Sequence, residues 1–182
     1  MSLKNCSIGV FLALALGVSA QGATVSFVVI ETGLREETPP IASSRLWEDA
    51  LLGVFFDSGH IVSNTPIRRI PEKPPKNLPD EARVSLDSAL EGGADFFILA
   101  MLDYQNPLRT GEALPKPQNV SIRLFKTEPY RFLFSMEYNL DKRNTGEGPF
   151  KEGSVNNART ADKDELTGAM DAARAMAKHL KD

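Results

Sequence analysis

Cysteine is almost missing from this chain of 182 residues: there is one, Cys6. It precedes the apolar run Ile8–Val18, so it does not stand where a lipid-modified cysteine follows a signal. If the first residues are removed, no thiol remains. Disulfides, zinc–thiolate centres and cysteine nucleophiles are then excluded together. Histidine is scarce too, with only His60 and His179. A metal centre usually needs three or four converging ligands, so two histidines far apart are a poor start for one. No nucleophile elbow, phosphate loop or dinucleotide fingerprint occurs. Gly92-Gly93 and Gly146-Glu147-Gly148 do not open helices, so neither cradles a phosphate. No block of one charge is present either. The formal net charge is −3 and the cations are scattered. A nucleic-acid surface would gather them on one face, so nucleic acid is not an expected partner. No internal repeat of roughly 20–50 residues and no second domain are visible.

The amino terminus is the most legible part. Lys4 is followed by an apolar stretch and then by Val18-Ser19-Ala20. A cationic start, about 7–15 apolar residues and small residues before a cut form a secretory signal. Cleavage is expected between Ala20 and Gln21, with a cut after Gly22 as the alternative. An uncut anchor is a further alternative, because no charge occurs from Asn5 to Ile30. A spanning helix needs about 20 mostly apolar residues. Ser19, Gln21, Gly22, Thr24 and Ser26 interrupt that character. Removing residues 1–20 of the 182 leaves 162, enough for one domain stabilised by its own core. No membrane span is expected after cleavage.

Periodicity then gives the elements. Ala23–Glu31 is an almost continuously apolar, β-branched strand of the kind buried on both faces. Ser43 or Ser44 is placed to cap a helix bearing Leu46, Trp47, Ala50, Leu51, Val54 and Phe55, which stops at Gly59. His60–Asn64 is a short strand parallel to the first. Residues 65–79 hold five prolines and read as an exposed loop. A second helix starts at Asn77 or Asp80 and ends at Gly92-Gly93. Phe96–Leu102 is the central strand. Asn119–Lys126 and Tyr130–Tyr138 alternate and form a hairpin across Thr127-Glu128-Pro129. Residues 139–160 read as a mobile loop. Asp162 and Glu165 open a final helix with a stripe of Leu166, Ala169, Met170, Ala173, Met176, Ala177 and Leu180. The expected fold is α/β (α+β), a mixed sheet in a three-layer-like arrangement, in the order β-α-β-α-β-β-β-α.

Few residues carry chemistry. Asp57 with His60 is the one tight acid–histidine pair, and a hydrolase centred on His60 is the third function considered. More simply, His60 begins a strand. His179 sits at a helix end that favours cations, and Asp162, Asp164 and Glu165 sit at a helix start that favours anions. Asn119-Val120-Ser121 fits a glycosylation pattern, relevant only in a eukaryotic secretory route. The row Tyr130, Phe132, Phe134, Met136, Tyr138 is either a core face or a binding strip.

Three local words carry a resemblance. They are Phe55-Phe56-Asp57-Ser58-Gly59-His60-Ile61-Val62, Gly93-Ala94-Asp95-Phe96-Phe97-Ile98-Leu99 and Val120-Ser121-Ile122-Arg123-Leu124. In this element order they resemble a group of bacterial envelope domains. The group includes the amino-terminal domain of the translocation protein TolB, the curli-secretion lipoprotein and related outer-membrane accessory lipoproteins. Two features depart from it: Ala100 or Met101 replaces a late glycine of the central strand, and no lipidation cysteine follows the signal. The resemblance implies a periplasmic, non-enzymatic module without cofactors, binding an envelope protein in assembly, secretion or motility. Candidate partner residues are Arg68, Arg69, Lys73 and Lys76 in the proline-rich loop, and Tyr130 and Phe132 on the hairpin. The second function considered is a small-ligand or lipid carrier.

Overall fold

A computed structural model describes residues 22–34, 41–70, 77–104, 116–139, 150–152, 155–156 and 165–181. The predicted signal, with Ala20 and Gln21, lies outside the described residues, as do Lys73 and Lys76. Among the described residues the fold is a mixed α/β sheet with three α-helices. In chain order the elements are β1 (Thr24–Thr32), α1 (Ala42–Asp57), β2 (Ile61–Asn64), β3 (Arg68–Ile70), α2 (Asp80–Glu91), β4 (Phe96–Asp103), β5 (Asn119–Lys126), β6 (Arg131–Asn139), β7 (Phe150–Glu152), β8 (Val155–Asn156) and α3 (Glu165–Ala177). A 3-10 turn, Lys178–Lys181, extends α3. Among the described residues no helix is long and apolar enough to cross a membrane.

The sheet runs β2-β1-β4-β5-β6-β7-β8, and β3 also pairs with β1. β1 is parallel to β2, β3 and β4, and the hairpin adds antiparallel strands. β2 pairs with the first half of β1 and β3 with the second half, so they form one edge broken at Thr65-Pro66-Ile67. Proline cannot donate to a ladder, which suits this break to an edge. The stretch expected to be wholly loop therefore contributes a strand. Residues 139–160 likewise contain β7 and β8.

The two faces of the sheet are covered unequally. On one face, Val25, Phe27, Val29, Ile98, Ala100, Ile122, Leu124, Met136 and Tyr138 pack with residues of α1 and α3 in the larger core. Trp47 meets Tyr138 edge-on at 5.8 Å between ring centres. α3 can lie close because its buried positions are small: Gly168, Ala169, Ala172 and Ala173, followed by Met176. This stripe is turned from the expected one, and Leu166 is exposed. On the other face, α2 is the one helix among the described residues and packs Ala82, Leu86 and Ala89 over Val28, Ile30, Leu99 and Met101.

Helix α1 does not begin as its serines suggest. Ile41 is the N-cap residue and provides no side-chain cap. Its amide instead donates to the buried Glu31 carboxylate, 2.9 Å away. Ser43 and Ser44 lie within the first turn and are buried, and their hydroxyls are engaged elsewhere. Of the two expected starts of α2, Asp80 is the one observed: Pro79 is the N-cap residue just before the helix, and Asp80 and Glu81 are in the first turn. Gly59 and Gly93 follow α1 and α2 at φ 85° and 70°, a left-handed conformation that glycine adopts without a Cβ clash.

Candidate functional site

Three places in the described structure collect polar or reactive side chains, and two of them are occupied in holding the fold. The first is at the start of β1. His60 Nδ1 accepts the Ala23 amide at 3.1 Å, and Asp95 accepts the Thr24 amide at 2.8 Å. The His60 ring also lies edge-on to Phe55. An Nδ1 that accepts a backbone proton is committed to anchoring the strand. Asp57 is exposed on the last turn of α1. Among the described residues no three His, Cys, Asp or Glu side chains group as metal ligands would.

The second place is the carboxyl ends of β1 and β4, a common ligand position in open α/β sheets. Here Glu31, Thr32, Asp103 and Tyr104 are buried. Arg69 Nε donates to Glu31 Oε2 at 2.9 Å, and the guanidinium also forms an ion pair there. The Arg69 side chain is only 11% exposed and that of Glu31 1%. Arg69, a candidate partner residue, is thus an internal counter-ion, while its neighbour Arg68 is exposed. Ser44 and Tyr104 share a hydrogen bond of 2.8 Å. Ser43 donates to Glu165, which also accepts the Trp47 indole N–H at 3.2 Å. Burial pushes the Tyr104 hydroxyl up to about 12, against the opposing pull of the Ser44 and Ser43 hydroxyls. Nearby Glu31 and Glu165 add to the rise. Among the described residues no buried side-chain polar atom lacks a hydrogen-bond partner. The cluster joins α1, α3, β1, β3 and the end of β4.

The third place is open. Beyond α2, the second face of β5 and β6 has no helix above it among the described residues. The ladder pairs Ser121 with Glu137, Arg123 with Ser135, and Phe125 with Phe132. Together with Tyr130 and Leu78 these side chains line a groove of about 410 Å³. Phe125 is buried, whereas Phe132 is 53% exposed and Tyr130 55%. Tyr130 stacks on Phe125 at 5.7 Å with 10° between the rings, and Phe132 meets Phe125 edge-on at 5.8 Å.

Alternation alone would put Tyr130 and Phe132 in one row with Phe134, Met136 and Tyr138. The structure divides that row. Between Leu124 and Phe125 the register shifts: Leu124 faces Phe134 but Phe125 faces Phe132. Leu133 is the extra residue of a β-bulge, which reverses the side-chain alternation past it. Phe134, Met136 and Tyr138 stay with the larger core, and Phe134 stacks on His179 at 4.1 Å. Phe132 is transferred to the open face. Arg123, Ser121, Ser135 and Glu137 were not singled out from the sequence as site residues. Their polar alternation against Val120, Ile122, Leu124 and Met136 was the signal for a second face.

Among solved structures the chain is similar to the PelC dodecamer from Paraburkholderia phytofirmans, at 15% identity and TM-score 0.41, covering 88% of this chain and 87% of that one. A variant of that dodecamer aligns at 12% identity and TM-score 0.42, covering 88% of both chains. Competence damage-inducible protein A (ComA) from Klebsiella pneumoniae aligns at 9% identity and TM-score 0.39, covering 89% of both. No curated protein sequence matches the chain. A family model described as "Uncharacterised protein" matches residues 24–145, from the first strand past the hairpin, and the chain belongs to that family.

Proposed function

We propose that the protein is an exported, non-enzymatic binding module of the bacterial envelope, and that it engages a protein partner through the open face of the β5–β6 hairpin. The carrying observation is the pair of half-exposed rings, Tyr130 and Phe132, set around Phe125 on a sheet face with no helix above it among the described residues. Exposed aromatic side chains beside an arginine are the residue types that anchor protein interfaces. The secretory features of residues 1–20 and the likeness of three local words to envelope accessory domains support the location. A role in assembly, secretion or motility follows from that likeness.

The polar clusters support a non-enzymatic reading because their groups already have structural uses. His60 anchors β1 and Arg69 neutralises Glu31. A lipid carrier is a weaker reading: the groove is shallow and mixes Arg123 and Glu137 with its rings.

Site-specific photo-crosslinking in the producing bacterium tests the proposal. A crosslinker at position 132 should capture one discrete partner, and one at the exposed Arg174 position should not. Mass analysis of the same protein should find Gln21 as its first residue. Equal labelling from both positions, or none from 132, would reject the surface.

A further inference from the structure

Six large hydrophobic side chains are exposed among the described residues, and the two most exposed, Phe56 at 72% and Ile61 at 66%, lie at one corner of the sheet. The same corner is where the amino-terminal segment enters the fold. We infer that this corner, between α1 and β2, faces a lipid bilayer, with Phe56 and Ile61 seated in its interface while the apolar run Ile8–Val18 is inserted. The inference rests on reading that run as a membrane-inserted signal, and it makes no use of the hairpin surface.

Backbone contacts fix the corner. Phe56 is on the last turn of α1, and Ile61 opens β2. The turn between them closes through the Gly59 amide, which donates to the Phe56 carbonyl at 2.9 Å, and the His60 amide, which donates to the Phe55 carbonyl at 3.1 Å. The start of β1 is tied to this turn. The Ile61 amide donates to the Ala23 carbonyl, and the Ala23 amide donates to His60 Nδ1, each at 3.1 Å. Gly22 runs so close that a Cβ there would collide with the Gly59 carbonyl oxygen. From Val18 to Gly22 is four residues of chain, which span at most about 14 Å when extended. While the run is inserted, the corner cannot stand farther than that from the bilayer surface. Phenylalanine and isoleucine gain by leaving water for the lipid interface. The exposed Asp57 lies in the turn between them, so the contact is apolar and owes nothing to anionic headgroups. Two side chains bury less apolar surface than one myristoyl chain, whose own membrane binding is marginal. The inserted run therefore supplies the attachment and the two side chains set the orientation. The starts of β1 and β2 point toward the lipid, and the carboxyl end of β1, with Glu31, points away from it.

Leu166 supplies the control. It is 44% exposed, and its neighbour Glu165 bonds Ser43 at the other end of α1. The 16 residues of α1 span about 24 Å. Photo-crosslinking residues are placed singly at 56, 61 and 166 in the full chain carrying Ala20→Tyr, a bulky residue that blocks the expected cut. In membranes of the producing bacterium, positions 56 and 61 should both give phospholipid adducts, identified by mass, and position 166 should give none. Lipid labelling missing from 56 or from 61, equal lipid labelling at all three positions, or a discrete protein adduct in place of lipid at 56 and 61 overturns the orientation. If the Ala20→Tyr chain is membrane-bound but fails in one of these ways, export stands and only the orientation is lost. If that chain is found outside the membrane fraction altogether, the signal reading falls and the orientation falls with it. Partner capture at position 132 is unaffected by either result.

Discussion

The hairpin has two faces made by the same two strands, and they have opposite fates. One face holds Val120, Ile122, Leu124, Met136 and Tyr138 in the larger core with α1 and α3. The other holds Ser121, Arg123, Ser135 and Glu137 with two half-exposed rings. A bulge at Leu133 makes the division, and without it Phe132 would point toward the core face. The lesson is that an aromatic row in a sequence is not one surface. Its inner members stabilise the fold, and its outer members stay half exposed.

The contrast can be broken from the core side first. Tyr138→Ala removes a fully buried ring that meets Trp47 and fills the space where a side chain at Gly168 would stand, and should cost about 3–5 kcal/mol in urea denaturation. Glu31→Gln removes the charge of the buried ion pair with Arg69 and should cost about 3 kcal/mol. Adding Arg69→Met should recover part of that loss. No recovery would mean that the cost does not come from the loss of charge beside Arg69.

Smaller still is a pH effect. Tyr104 holds its proton more tightly when folded, since its folded value is raised to about 12. This contribution is fully present below pH 10 and is lost as pH rises toward 12, because the unfolded chain ionises first. The loss should reach on the order of 2–3 kcal/mol near pH 12. Tyr104→Phe should flatten that part of the stability–pH curve, though it also removes the bond to Ser44. An unchanged curve would place the titration elsewhere.

Much of the architecture was legible because its signals are local. Phe96–Asp103 is buried at every position and its residues Phe96–Leu102 are an unbroken apolar run, and the first strand, the three helices and the hairpin follow from periodicity. What stayed hidden depends on contacts far apart in the chain. Glu31 replaces a serine cap at α1 from ten residues away, and Arg69 reaches back 38 residues to meet it. Nothing in the local pattern around Arg68-Arg69 marks one as buried and the other as exposed. The bulge was hidden for another reason. Phe132, Leu133 and Phe134 are all apolar, so either register satisfies the pattern and only pairing with β5 decides it. The open face was half legible: the polar alternation of β5 marked a second side, but not that α2 would stop short of it.

The most direct test is Phe132→Ala, read for stability and for partner capture together. Because this ring is half exposed on the uncovered face, stability should fall by less than about 1 kcal/mol. Partner crosslinking, read from a crosslinker moved to position 130, should disappear. A large loss of stability with capture unchanged would place Phe132 in the core and contradict the account.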